Sequence, residues 1–296
     1  MATRENSNLE VMKTYKLFIG GSFPRTESGR YYPIRKKNGD LLANVCLSSR
    51  KDFRNAVVAA RKAQSAWAGR SAYNRSQIIY RIAEMLQQSE DSLVQEMVSL
   101  GYTPKNAKEE FDYSVDYLVH YSGWCDKFSQ MHSTVNPVAS SHFNFSNPEP
   151  MGVIGAFAAE RRALIGVLEA FVPAICGGNT VVLLASHKLP TCSITLAEIL
   201  AISDVPGGVV NILTGEREEL LSHFTSHMDV NAFQIWDASK EESFVIDQNS
   251  TENLKRVRLY KSSIRTRLSP YRILDLQEVK TTWHPIENIS GSGASY

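Results

Sequence analysis

Cysteine is scarce in this chain. Four residues in 296, at positions 46, 125, 176 and 192, form no C-x-x-C pair. That spacing offers neither a zinc ribbon nor a disulfide framework, and a reducing compartment is the default. No apolar run is long enough to span a bilayer, and the polar residues 1–10 lack the apolar core of a signal peptide. The sequence therefore reads as a cytoplasmic chain with a frayed N-terminus over residues 1–14. An excess of one charge sign is missing too. Thirty-two Lys and Arg balance 31 Asp and Glu, for a net charge of +1, so nothing global attracts nucleic acid or an anionic membrane. His187 and His284 stand alone without metal-ligand spacing, and no Gx4GK[ST], HExxH or GxSxG motif occurs. What is present, 43% hydrophobic and 21% charged residues, fits a globular protein with a substantial core.

The hydrophobic pattern changes along the chain. Leu17, Phe18 and Ile19 before Gly20-Gly21 read as a short strand into a turn, and Asn38-Gly39 as the turn of a hairpin. Phe53, Val57, Ala60, Ala63 and Trp67 recur at helical steps, as do Ile78, Ile79, Ile82 and Leu86; residues 93–100 form a third helix closed by Gly101. Pro104 opens a longer helix whose apolar face is extended to Cys125 and Phe128. Phe143 and Phe145 alternate with polar residues as in a half-exposed strand. From 153 to 260, short apolar strands alternate with helices, the signature of a parallel sheet covered on both faces. Residues 254–274 carry seven basic residues and no acidic one, read as a solvated connector. Val279, Thr281 and Trp283 then alternate with Lys280, Thr282 and His284 in a closing strand, before a Gly/Ser-rich tail. Cys176 and Cys192 read as packed core residues rather than reactive thiols.

Three segments carry a resemblance: Glu149-Pro150-Met151-Gly152-Val153-Ile154-Gly155, Gly177-Gly178-Asn179-Thr180-Val181-Val182-Leu183, and Val205-Pro206-Gly207-Gly208-Val209-Val210-Asn211-Ile212. Together they resemble the cofactor domain of the aldehyde dehydrogenase superfamily. Ser203-Asp204-Val205-Pro206 and the ending Val279-Lys280 with Trp283-His284-Pro285 narrow the likeness to the degenerate second module of aldehyde dehydrogenase family 16. The resemblance implies an α/β fold: a Rossmann-like, doubly wound parallel sheet with a helical lead-in, a small β oligomerisation element and no catalytic-cysteine domain. On this reading residues 15–141 form the hairpin and lead-in. Residues 142–150 are an oligomerisation strand, 151–260 the dinucleotide-binding-like unit, 261–276 the basic connector, 277–286 the closing oligomerisation strand and 287–296 a disordered tail.

The resemblance also marks losses. Arg161 stands where the family places the asparagine that steadies an oxyanion, a donor that must be aimed at developing charge. Tyr260 stands at the glutamate base. Leu184 stands where the family places the lysine that binds the adenosine ribose, and His187 is a further degenerate cofactor position. Asp237 and Ala238 replace the Gly-Ser pair that lets a backbone approach the pyrophosphate, so an acid lies where phosphate should come. The closing strand follows Tyr260 too soon for a domain to intervene. Covalent catalysis needs nucleophile, base and oxyanion donor together. The expectation is a non-catalytic module without cofactor, NAD being disfavoured. It would dock through Phe143, Phe145, Val279, Thr281 and Trp283 onto an aldehyde dehydrogenase chain or a copy of itself. Two alternatives stand beside it: part of an NAD-dependent aldehyde dehydrogenase whose active site lies on another chain or module, and a nucleotide sensor without turnover.

Overall fold

The computed structural model describes residues 13–36, 38–263 and 268–286. The expected tails over residues 1–12 and 287–296, and the basic residues Arg265 and Arg267, lie outside the described residues.

The centre is a five-stranded parallel sheet of β6 (Val153–Phe157), β7 (Thr180–Leu184), β8 (Val210–Leu213), β9 (Ala232–Trp236) and β10 (Arg256–Tyr260), in the order β10-β9-β6-β7-β8. Every residue of β6, β7, β8 and β9 is buried. This is why their apolar runs are continuous rather than alternating. Two cores flank the sheet. On one face α6 (Ile165–Cys176) and α7 (Thr191–Ala201) are themselves covered by α2 (Ala72–Gln88), α3 (Glu90–Ser99) and α4 (Pro104–Ser122). The other face holds α1 (Arg50–Ala68), α8 (Arg217–Ser226) and α9 (Lys240–Ser250). The lead-in helices thus share a core with the sheet.

Local chemistry sets the helix starts. Ser49 and Asp52 close a capping box on α1, and Thr103 caps α4 with Pro104 in its first turn. Helix α4 ends at Ser122, so Cys125 and Phe128 lie beyond it, though both are buried. The expected strand at Leu17–Ile19 is reduced to two isolated bridges, Phe18 to Ile212 and Ile19 to Ser22. The turn behind it is wedged against Gly207, where a Cβ would come within 2.5 Å of the Gly20 carbonyl oxygen. A small N-terminal sheet joins β1 (Thr14–Tyr15), β3 (Leu41–Cys46) and β2 (Tyr31–Arg35), the last two as the expected hairpin.

A separate antiparallel sheet orders β11 (Gln277–Pro285), β5 (His142–Pro150) and β4 (Thr134–Asn136), with short α5 (Phe128–His132) leading into β4. Between β10 and β11 the described part of the basic stretch is not solvated throughout. Residues Tyr271–Leu274 form α10, which buries Ile273, while Leu276 is buried just beyond it. Lys255 and Arg272 turn inward for a reason: each finds carbonyls or aromatic faces in place of water. Lys255 donates to the His227 and Val230 carbonyls, and the Arg272 guanidinium lies 3.7 Å from the Tyr260 ring centroid and 5.2 Å from that of Trp236. Among the described residues no helix is long and apolar enough to cross a membrane.

Candidate functional site

The strand order reverses between β6 and β9: the chain runs outward through β7 and β8, then returns to place β9 on the other side of β6. In doubly wound sheets the crevice beyond the carboxyl ends of the strands at this point is where ligands bind. Here that crevice is filled from within.

Arg217, the first residue of α8, reaches into it with only 12% of its side chain exposed. Its guanidinium donates to the Ala158 carbonyl just beyond β6 (2.5 Å) and to the Trp236 carbonyl at the end of β9 (3.1 Å). The same group pairs with Glu160 at 3.2 Å and Glu242 at 3.7 Å. One side chain therefore bridges the carboxyl ends of two paired strands, where a ligand would lie.

Three carboxylates occupy the surrounding backbone donors. Glu160 accepts from the amides of His187 (3.1 Å) and Lys188 (3.4 Å) and from the Ser186 hydroxyl (3.0 Å). Glu242 accepts from the Ser239 amide at 2.8 Å, and Ser239 returns the bond in a capping box on α9. Asp237 accepts from the Ser262 amide at 3.0 Å and from its hydroxyl, with its own backbone held at φ 54°. A helix N-terminus attracts anions because its first amides lack partners. At α9 the Ser239 hydroxyl takes the Glu242 amide, and a phosphate arriving there would face three carboxylates and one guanidinium.

On the β7 side, Tyr32 of the N-terminal hairpin stacks on His187 with ring centroids 4.4 Å apart and planes at 13°. Burial and the neighbouring Glu160 push the Tyr32 hydroxyl well above its ordinary pKa. His187 is thus covered by an aromatic ring, and Leu184 is 1% exposed within the strand. Ala238 packs against the core on the α1 face.

The two residues that the resemblance sets at catalytic positions lie in different surroundings. Arg161 is exposed at a cavity of about 370 Å³ shared with Tyr102, Glu110 and Arg162. Behind it, Glu110 accepts the Leu164 and Ile165 amides at 2.9 and 3.2 Å at the start of α6. Tyr260 is clamped instead: its hydroxyl donates to Asp275 at 2.8 Å and its ring lies under Arg272. Burial raises its phenol beyond the usual range, so it is not a base at neutral pH. Cys176 and Cys192 are fully buried as expected, and burial pushes both thiols up. Among the described residues no group of three or more His, Cys, Asp or Glu side chains could hold a metal.

Sequence reasoning missed Arg217, Glu160, Glu242 and Tyr32. One of them had a readable signal: Ser239-Lys240-Glu241-Glu242 is a capping-box pattern.

The five expected docking residues lie on one sheet but not on one face. In the β11–β5 register Val279 pairs with Pro148, Thr281 with Ser146 and Trp283 with Asn144, while Phe145 pairs with Thr282 and Phe143 with His284. Directly opposite residues share a face. Val279, Thr281 and Trp283 therefore project to one side, and Phe143 and Phe145 to the other. Val279, Trp283 and Phe143 are 72%, 55% and 48% exposed.

Comparison with known proteins agrees with this architecture. The profile of the aldehyde dehydrogenase family matches residues 24–262. The putative aldehyde dehydrogenase DhaS of Bacillus subtilis (strain 168) is 28% identical over 251 residues, covering 83% of this chain and 50% of its own length. Cytosolic aldehyde dehydrogenase 1 of Elephantulus edwardii is 28% identical over 259 residues, 86% of this chain and 51% of that protein. Among solved structures, the NAD+ complex of an aldehyde dehydrogenase from Bacillus cereus aligns with a TM-score of 0.79 at 25% identity, over 84% of this chain and 51% of that one. The chain spans about half the length of the curated relatives it matches. The doubly wound sheet and the extent of the profile match together place it: this chain belongs to the aldehyde dehydrogenase family.

Proposed function

We propose that this chain is a non-catalytic aldehyde-dehydrogenase-like module, acting in assembly, scaffolding or regulation by docking through its antiparallel sheet. The observation that carries the reading is Arg217, seated in the switch-point crevice with Glu160 and Glu242. The crevice is closed by groups that the fold also needs, since the guanidinium ties β6 to β9. Tyr260, at the position of the base, is committed to Asp275 and Arg272. Residues 261–276, between β10 and β11, are too few for a catalytic domain. What remains exposed is the sheet ending in β11, whose apolar side chains and edge suit strand-mediated docking.

The test is direct. Incubation of the purified chain with NAD+ or NADP+ and a panel of aliphatic and aromatic aldehydes is expected to give no absorbance rise from reduced nicotinamide. Turnover that is lost on Arg217→Ala would overturn the reading.

A second reading is favoured by the half-length coverage of the relatives: the chain is part of an NAD-dependent aldehyde dehydrogenase whose active site lies on another chain or module. In that case Arg161→Ala and Tyr260→Ala leave the activity of the whole assembly unchanged. A large loss with assembly intact would count against it.

A further inference from the structure

We propose that β11 pairs with β11 of a second copy of this chain, antiparallel, about a two-fold axis through Thr281. The inference rests on the docking reading above and commits it to one occupant.

The backbone points the right way. Among the described residues strand β11 is an edge of its sheet, with β5 on one side only. The Ile286 amide donates toward β5, to the Ser141 carbonyl. Hydrogen-bonding direction alternates along an antiparallel strand, so His284, Thr282, Lys280 and Glu278 also face β5. Gln277, Val279, Thr281, Trp283 and Pro285 then present their backbone groups outward. The β5 partners agree with this alternation: Pro150 and Pro148, which have no amide to give, sit opposite Gln277 and Val279. The outward carbonyl of Gln277 is already used by Arg256.

The side chains select the register. With Thr281 facing its own copy, Val279 meets Trp283, Glu278 meets His284 and Lys280 meets Thr282, each twice by symmetry. Apolar groups meet on one face, and an acid meets an imidazole on the other. Gln277, whose carbonyl is spoken for, falls opposite Pro285, which has no amide. Sliding the pair by two residues one way sets Lys280 against Lys280; sliding it the other way sets Lys280 against His284 and Val279 against Pro285. Like charges directly opposite are destabilising, which disfavours the first of these registers, and the second parts Val279 from Trp283. The contact is a self-complementary, isologous one. A single strand pair buries little surface, so association is expected to depend on protein concentration.

The test uses the full chain. At the two-fold, opposed Cα atoms of a hydrogen-bonded pair lie about 5.5 Å apart, within reach of a disulfide. Thr281→Cys should therefore give a disulfide-linked dimer on mild oxidation, joined at position 281, since the four native cysteines are buried. Sedimentation should find the unmodified chain dimerising with concentration and Val279→Lys monomeric. Adding Trp283→Glu to Val279→Lys should restore the dimer through two crossed ion pairs. Failure of position 281 to cross-link, or a double variant as monomeric as the single one, would overturn the register. If the purified chain is single at every concentration while Val279→Lys abolishes its binding to a different protein in extracts, self-pairing falls and docking stands. If neither association responds to the substitution, both fall.

Discussion

The guanidinium of Arg217 lies 3.2 Å from the carboxylate of Glu160, beyond the carboxyl ends of the paired strands β6 and β9, where the strand order reverses. In an open doubly wound sheet the crevice at this point receives a ligand. Here it holds an ion pair bonded to the carbonyls of Ala158 and Trp236, so the same contacts that close the crevice also hold the sheet.

Arg217→Ala is expected to destabilise the fold by about 2–4 kcal/mol, since removing one partner of a buried pair leaves the other uncompensated. Arg217→Lys should recover little, because an ammonium cannot reach two carbonyls and two carboxylates in one plane. Urea unfolding of the three proteins measures this.

Asp237 combines a left-handed backbone, φ 54°, with a carboxylate held by Ser262. Asp237→Ala loses both the tolerance and the bonds, while Asp237→Gly loses only the bonds. The glycine variant should therefore be the more stable of the two by about 1 kcal/mol. Equal stabilities would mean that the backbone at this position carries no strain.

Lys255 is buried against carbonyls, with no acidic partner among the described residues, and burial lowers its pKa to about 8. An unfolded lysine titrates near 10.4. Below pH 8 both states hold the proton and the burial penalty is fully present. Between pH 8 and about 10.4 the folded state has released a proton that the unfolded state still binds, so stability rises with pH. Relative to Lys255→Met, the wild-type chain should gain stability between pH 7.5 and 9.5. A constant difference across that window would mean an ordinary pKa.

Arg272 lies over Tyr260 and Trp236. Arg272→Met keeps much of the apolar stem but removes the cation, and should cost about 1–2 kcal/mol. Tyr260→Phe should cost about 1 kcal/mol through the lost bond to Asp275. Denaturant midpoints distinguish these from the unaltered stability expected if the clamp were absent.

Much of the fold was legible because period and propensity are local. The buried runs of β6, β7 and β9, the capped helices α1 and α4 and the Asn38-Gly39 hairpin all carry their signals within a few residues. The reading of Arg161, Leu184, His187, Asp237, Ala238 and Tyr260 as altered positions rests on the resemblance alone. The cluster at the ends of β6 and β9 was not legible: Tyr32, Glu160, Arg217 and Glu242 come from four separate segments and meet only after folding. The basic run around 255–272 looked solvated because charge suggests water, whereas carbonyls and aromatic rings accept Lys255 and Arg272 indoors. The docking residues show a further limit. Alternation within β5 and within β11 is readable, but which residues share a face across the two strands depends on register, and that register separates Phe143 and Phe145 from Val279, Thr281 and Trp283.

The most direct test of the central claim is the melting temperature of the purified chain titrated with NAD+ to millimolar concentration. A ligand bound only by the folded state raises its stability with concentration. The self-filled crevice predicts no change at any concentration; a saturable rise that disappears when adenosine nucleotides compete would contradict it.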